Sequence, residues 1–153
     1  MDNVEVVRKV EEAYANKDYD TVRSLIDPDM IGHTPGSEMM PKGVEGCIAA
    51  DEGGWSYFPD KKVELLEVFG EGDKVVARMR FTGTNLGGLD WAGIAPSDNK
   101  IDIECLQISR HDGEGRIVET WAQMDIPKMM VQDRKSTRLN SSHSRASRMP
   151  SSA

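Results

Sequence analysis

The 153-residue chain is 29% charged, 38% hydrophobic and only 6% aromatic, with a net charge of -7. That is one domain's length, enough to bury a core with a pocket in it, and no stretch approaches the roughly 18 consecutive apolar residues of a membrane span. Glu5, Glu11, Glu12 and Asp18 interrupt the first twenty residues, which argues against a secretory signal. Cys47 and Cys105 lack a C-x-x-C partner and are expected to be free thiols of a cytoplasmic protein, not a redox motif or a structural zinc site.

Asp2 or Asn3 is placed to cap a first helix, in which Val4, Val7, Val10 or Glu11, and Tyr14 recur every three to four residues. Asn16-Lys17-Asp18 breaks the pattern. A second, short helix from Asp20 to Ile26 is stopped by Asp27-Pro28, because the residue before a proline disfavours helix. Met30-Ile31-Gly32-His33 is short and apolar and runs into a loop of Thr34, Pro35, Gly36 and Ser37. A third helix is expected from Gly43 to about Trp55.

Beyond Pro59-Asp60 the hydrophobic period changes to two. Val63, Leu65 and Glu67 alternate with Glu64, Leu66 and Val68; after a turn at Gly70-Glu71-Gly72-Asp73, Val75, Ala77, Met79 and Phe81 alternate with Val76, Arg78 and Arg80. A glycine-rich segment from Gly83 to Asn99 crosses to a third strand, Ile101 to Arg110. The Asp112-Gly113-Glu114-Gly115 turn leads into a fourth, Arg116 to Asp125, and a helical fragment follows from Pro127 to Gln132. Helices followed by a strand meander predict an α+β fold, with the helices segregated on one face of a curved antiparallel sheet.

The chain changes character at Asp133. Residues 133–153, DRKSTRLNSSHSRASRMPSSA, are rich in Ser and Arg and show neither period. Asp133 to His143 and Ser147 to Ala153 are also the translation, in order, of two constant blocks of a common sequencing-library adapter. Ser144, Arg145 and Ala146 fall where a sample index sits. The segment is read as adapter read-through, an artefactual disordered tail, and the domain as residues 1–132. The tail holds five of the 19 basic residues and one of the 26 acidic ones, which leaves 14 against 25, or about -11, on the domain. A domain this acidic repels phosphate backbones, so neither a nucleic-acid nor a membrane partner is expected.

Glu119, Trp121, Gln123 and Asp125 share parity on the fourth strand, opposite Val118, Thr120, Ala122 and Met124. Such a row is either a solvated face or the wall of a pocket. In the second case Trp121 is a platform, and burial beside its indole raises the Asp125 pKa toward the range of acid–base catalysis. His33 forms a proton-transfer couple with Asp125 if the fold brings them together; alone it is a structural histidine. Gln107 shares parity with Cys105 and Ser109 and reads as pocket-facing. Arg78 and Arg80 read as an exposed pair offsetting Glu64 and Glu104, and His111 as part of a turn. The glycines form no phosphate loop or dinucleotide fingerprint, and no metal-ligand spacing occurs, so no metal or cofactor is expected.

The segments PGSEMMPKGVEGC, YFPD, EGDKVVARMRFTGTN, IAPSDNK and SRHDGEGRIVETWAQMD, in that order, resemble the SnoaL-like polyketide cyclases of the nuclear transport factor 2-like superfamily. The resemblance spans Val4 to Gln132. It implies an α+β, cystatin-like cone, with three N-terminal helices packed on a curved antiparallel sheet that encloses a pocket, and a homodimer or higher homo-oligomer formed through the sheet. It further implies a cofactor-free enzyme that closes a ring of a small hydrophobic carbonyl compound by intramolecular aldol condensation. Asp125 matches the family's general acid/base, and His33 a histidine at the pocket mouth. Asn85 stands where many relatives carry histidine. Tyr14, Trp55 and Asn85 join Trp121, Gln107 and Gln123 as the expected substrate-binding set. The alternatives are a non-catalytic ligand-binding or dimerisation module of the same fold, and an isomerase, dehydratase or epoxide hydrolase of the same superfamily.

Overall fold

The computed structural model describes residues 1–39 and 41–134. Helix α1 (Asn3–Ala15) starts with a capping box. The Asp2 carboxylate accepts the Glu5 N–H at 2.8 Å, and the Glu5 carboxylate accepts the Asp2 N–H at 3.3 Å. Its buried stripe is Val6, Val7, Val10 and Ala13. Helix α2 (Tyr19–Leu25) is capped by Asp18, which accepts the Thr21 N–H at 3.2 Å and the Thr21 hydroxyl at 2.6 Å.

Ile26 then passes directly into strand β1 (Ile26–His33), where the sequence suggested a helix end and a brief apolar run. Pro28 has no N–H to give to a ladder, and a strand containing it belongs at an edge or a bulge. Both conditions hold: β1 is an edge strand, and its register shifts between Ile26 and Ile31. Helix α3 (Gly43–Tyr57) lies directly on the backbone beneath it. A Cβ on Gly43, whose φ is +73°, would stand 1.8 Å from the Pro28 carbonyl oxygen, and one on Gly46 would stand 1.7 Å from that of Pro41. Only glycine permits this approach.

Strands β2 (Lys62–Glu71), β3 (Lys74–Thr84), β4 (Lys100–His111) and β5 (Ile117–Met124) complete a curved, open sheet of order β1-β5-β4-β3-β2. The fold is α+β, as expected. The sheet is mixed, however, because β1 runs parallel to β5 while the other pairs are antiparallel. A strand that precedes α3 cannot join the later meander as a hairpin, and it reaches the sheet as a crossover edge.

Register fixes the two faces. Rows Val75/Ser109/Thr120, Ala77/Gln107/Ala122 and Met79/Cys105/Met124 lie on the side of the helices. Val76/Ile108/Trp121 and their neighbours lie on the other side. The alternation expected for β2 holds only as far as a register shift between Leu65 and Glu67. There Leu65 pairs with Met79 and Val68 with Ala77, so both turn inward.

One core joins α1, α2 and α3 to the sheet through Val7, Val10, Val22, Val44, Ile48, Val75 and Ala77. A second joins Phe58, Leu89, Ile101, Ile103 and Met129. Met129 belongs to helix α4 (126–134), which runs past the expected end at Gln132 and carries Asp133 and Arg134 with it. Residues 135–153, the rest of the adapter-like segment, lie outside the described residues.

Candidate functional site

On the helix-facing side of the sheet, polar side chains converge from α1, α3, β4 and the approach to β2. Glu11 flanks the apolar stripe of α1, one residue after Val10 and three before Tyr14. Desolvation pushes its pKa up from 4.5 to about 7, the Asp51 carboxylate adds to the rise, and Lys61 opposes it. Among the described residues no hydrogen bond or ion pair contacts the Glu11 carboxyl, and no fully enclosed side-chain oxygen lacks a partner. The residue is partly buried on the side of α1 that flanks the core.

Tyr14 lies beside it. Burial, with the nearby Cys47, Glu11 and Asp51, drives its phenol pKa far above the usual value. It stays protonated and able to donate at any physiological pH. Burial raises the Cys47 thiol to about 11 and, together with Glu11, the Cys105 thiol to about 11, so neither is a nucleophile at neutral pH. Gln107 lies between Ala77 and Ala122 in register. Two small neighbours leave its half-buried amide room, and among the described residues it has no side-chain hydrogen bond.

Behind Glu11, the Asp51 carboxylate accepts the Tyr19 hydroxyl at 2.9 Å, the Trp55 indole N–H at 3.1 Å and the Lys61 ammonium. Lys61 and Lys17 stand 4.7 and 4.6 Å from the Trp55 ring centroid. Two open depressions of the surface lie elsewhere, one against Gly70 and Gly72 and the other against residues 92–97. Shape alone would select those depressions; chemistry selects the cluster around Glu11.

Residues 4–132 match the SnoaL-like polyketide cyclases. The chain belongs to the SnoaL-like polyketide cyclase family. IdmH, a candidate polyketide cyclase from Streptomyces antibioticus, is similar at 28% identity and a TM-score of 0.74, over 86% of this chain and 98% of that one. TsrD from Streptomyces laurentii is similar at 25% identity and a TM-score of 0.75, over 86% and 93%. AclR, a candidate hydroxylase from Streptomyces galilaeus, shares the fold at 21% identity and a TM-score of 0.70, over 87% and 96%. No curated protein matches significantly.

In this family member the sequence-derived site residues fall in four places. Tyr14 and Gln107 lie on the inner side near Glu11, and Trp55 supports Asp51. Trp121, Gln123 and His33 lie on the outer face, because the helices cover the Thr120/Ala122/Met124 side of β5. His33 pairs with Glu119 and not with Asp125: its Nε2 is 2.8 Å from the Glu119 carboxylate. Asp125 is exposed and caps α4, accepting the Lys128 N–H at 3.1 Å. Asn85 is wholly buried in the loop between β3 and β4. Its amide donates to the Ala95 carbonyl at 3.1 Å, to Ser97 Oγ at 3.3 Å and to Asp133 at 3.1 Å, and its oxygen accepts the Gly88 N–H at 2.9 Å.

The sequence reading does not single out Glu11, Asp51 or Lys61, which the structure brings into this cluster. A carboxylate within the apolar period of α1 was the available signal for Glu11. Nothing local marked the other two. No group of three or more metal-ligating side chains occurs among the described residues, and none of their helices is long and apolar enough to cross a membrane.

Proposed function

We propose that this chain is an acid/base enzyme acting on a small apolar carbonyl compound by intramolecular aldol chemistry, with Glu11 as its proton-transfer group. The observation that carries the reading is an unpartnered interior carboxyl whose pKa of about 7 leaves both protonation states populated at neutral pH. In the ionised state Glu11 removes a proton from a methylene between two carbonyls. The enolate carbon attacks a third carbonyl of the same molecule, and the alkoxide formed there takes the proton back from Glu11. In this reading Tyr14 and Gln107 donate to carbonyl oxygens while the interior folds the chain so that its ends meet. Such a methylene is acidic enough that no cofactor is invoked.

The test is turnover of a β-keto ester bearing an additional ketone, by the full chain. Glu11→Gln is expected to reduce kcat by about 10²- to 10⁴-fold, while Asp125→Asn keeps it. Retained activity in Glu11→Gln would sink the assignment. Loss in Asp125→Asn alone would return the role to Asp125.

One observation favours a second reading, a non-catalytic ligand-binding module: β5 turns Ile117, Thr120, Ala122 and Met124 inward and so brings no ionisable group to the inner side of the sheet. Saturable binding of the β-keto ester without turnover would establish it.

The outer face suits a second copy of this chain. Phe69, Val76, Ile108, Trp121 and His33 are successive register partners and form one row across all five strands. Phe69 is 62% and Ile108 40% exposed. β4 is the central strand, so a twofold axis along it sets Ile108 against Ile108 and Lys74 against Glu119.

A further inference from the structure

An enclosed ion pair adds little net stability once desolvation is counted, so one that is heavily braced points to a role beyond folding. The Asp51 and Lys61 side chains are only 10% and 9% exposed. Three elements hold them together: Tyr19 of α2 and Trp55 of α3 donate to the Asp51 carboxylate, and Lys61 enters from the approach to β2. The Lys61 ammonium also lies 3.5 Å from the Asp51 carbonyl oxygen. Gly54 keeps its path clear, since a Cβ there would stand 3.3 Å from Lys61 Nζ and 3.6 Å from its Cδ.

The charged and titratable groups around Glu11 are Tyr14 of its own helix, Asp51 of α3, Lys61, and Cys105 of β4, with Cys47 of α3 joined through Tyr14. Lys61 is the only cation of the set among the described residues. We propose that Asp51 is a positioning residue, which holds the Lys61 ammonium against α3 and so leaves the Glu11 carboxyl without a cationic partner. Released from Asp51, Lys61 pairs with Glu11 and keeps it ionised, a weaker base with no proton to return. The inference rests on the acid/base reading of Glu11, but its test needs no substrate.

The test is carbon-detected NMR titration of the Glu11 carboxyl in the full chain, with Glu11→Gln to assign the signal. Asp51→Asn removes one negative charge and also frees Lys61, so its effect is read as a double-mutant cycle. The Glu11 midpoint is expected to fall by about 1 to 3 pH units in Asp51→Asn, and by clearly less when the same change is made in Lys61→Met. Equal falls in the two backgrounds would mean that Asp51 acts only as a nearby charge, and the proposal would be lost.

If Asp51→Asn does not fold, the Lys61 ammonium signal of the unaltered chain decides. Held on Asp51, it stays fixed while Glu11 titrates; a signal that follows Glu11 overturns the proposal. A positive cycle combined with full activity in Glu11→Gln would retain the ion-pair role and reject the catalytic one.

Discussion

His33 lies flat on Trp121, with ring centroids 5.3 Å apart and ring planes within 11°, on the face of the sheet turned away from every helix. The stack follows from the parallel pairing of β1 with β5, which places the two residues opposite each other at the sheet's edge. It ends the apolar row that crosses to Phe69. Ile108→Lys would put a charge into the middle of the proposed contact between copies. Its mass by light scattering is expected to fall to that of one chain, with the fold unchanged by circular dichroism. An unaltered chain that is already monomeric would dismiss the second copy.

Glu11 ties stability to pH. Its folded pKa, about 7, lies above the ordinary 4.5, so between those values the folded state holds more protons than the unfolded one. The contribution is full below about pH 4.5 and is lost as pH rises through 7, amounting to about 3 kcal/mol at most. Glu11→Gln should therefore raise stability at pH 8 and change it little at pH 4.5. Urea midpoints at the two pH values measure this, and equal shifts at both would contradict the burial of the carboxyl.

Asp125 has a structural function that is separable from catalysis. Asp125→Ala removes the α4 cap and is expected to lower stability by about 1 kcal/mol. Denaturation of this variant beside the pH–rate profile distinguishes a cap from an acid: only the former changes if Glu11 carries the chemistry.

Glu119 behaves oppositely to Glu11. The hydrogen bond from His33, followed by that from Arg110, holds its pKa below the usual carboxylate value. Its stabilising effect is present above the ordinary pKa and fades as pH falls through the lowered one. Glu119→Gln should thus be less stable than the parent at pH 7 and converge with it in acid. Thermal melts across that range would show a constant gap if the pair were irrelevant.

Asn85→Ala leaves the Gly88 N–H without its side-chain acceptor and the Ala95 carbonyl without a donor. A cost of about 1 to 3 kcal/mol is expected, with faster amide exchange across residues 85–99. Exchange unchanged from the parent would show that the asparagine does not brace the loop.

The sequence by itself determined the α+β class, the family, and the helical period of α1 through Val7 and Val10, because a period of 3.6 or 2 is written in neighbouring residues. The inward row Val75, Ala77 and Met79 was legible for the same reason. The burial of Val6 and Ala13 it did not single out. Parity also grouped Glu119, Trp121 and Gln123 correctly, but period two cannot say which side of a strand the helices will cover. Here they cover Thr120, Ala122 and Met124, and the row with the indole faces outward. Likewise β1 read as a mere apolar run, since its pairing partner lies some ninety residues away in β5. Only the tertiary structure placed Asp51 and Lys61 behind Glu11. A pKa shift depends on how many atoms exclude water and which charges stand nearby, and both are set by segments distant in the chain.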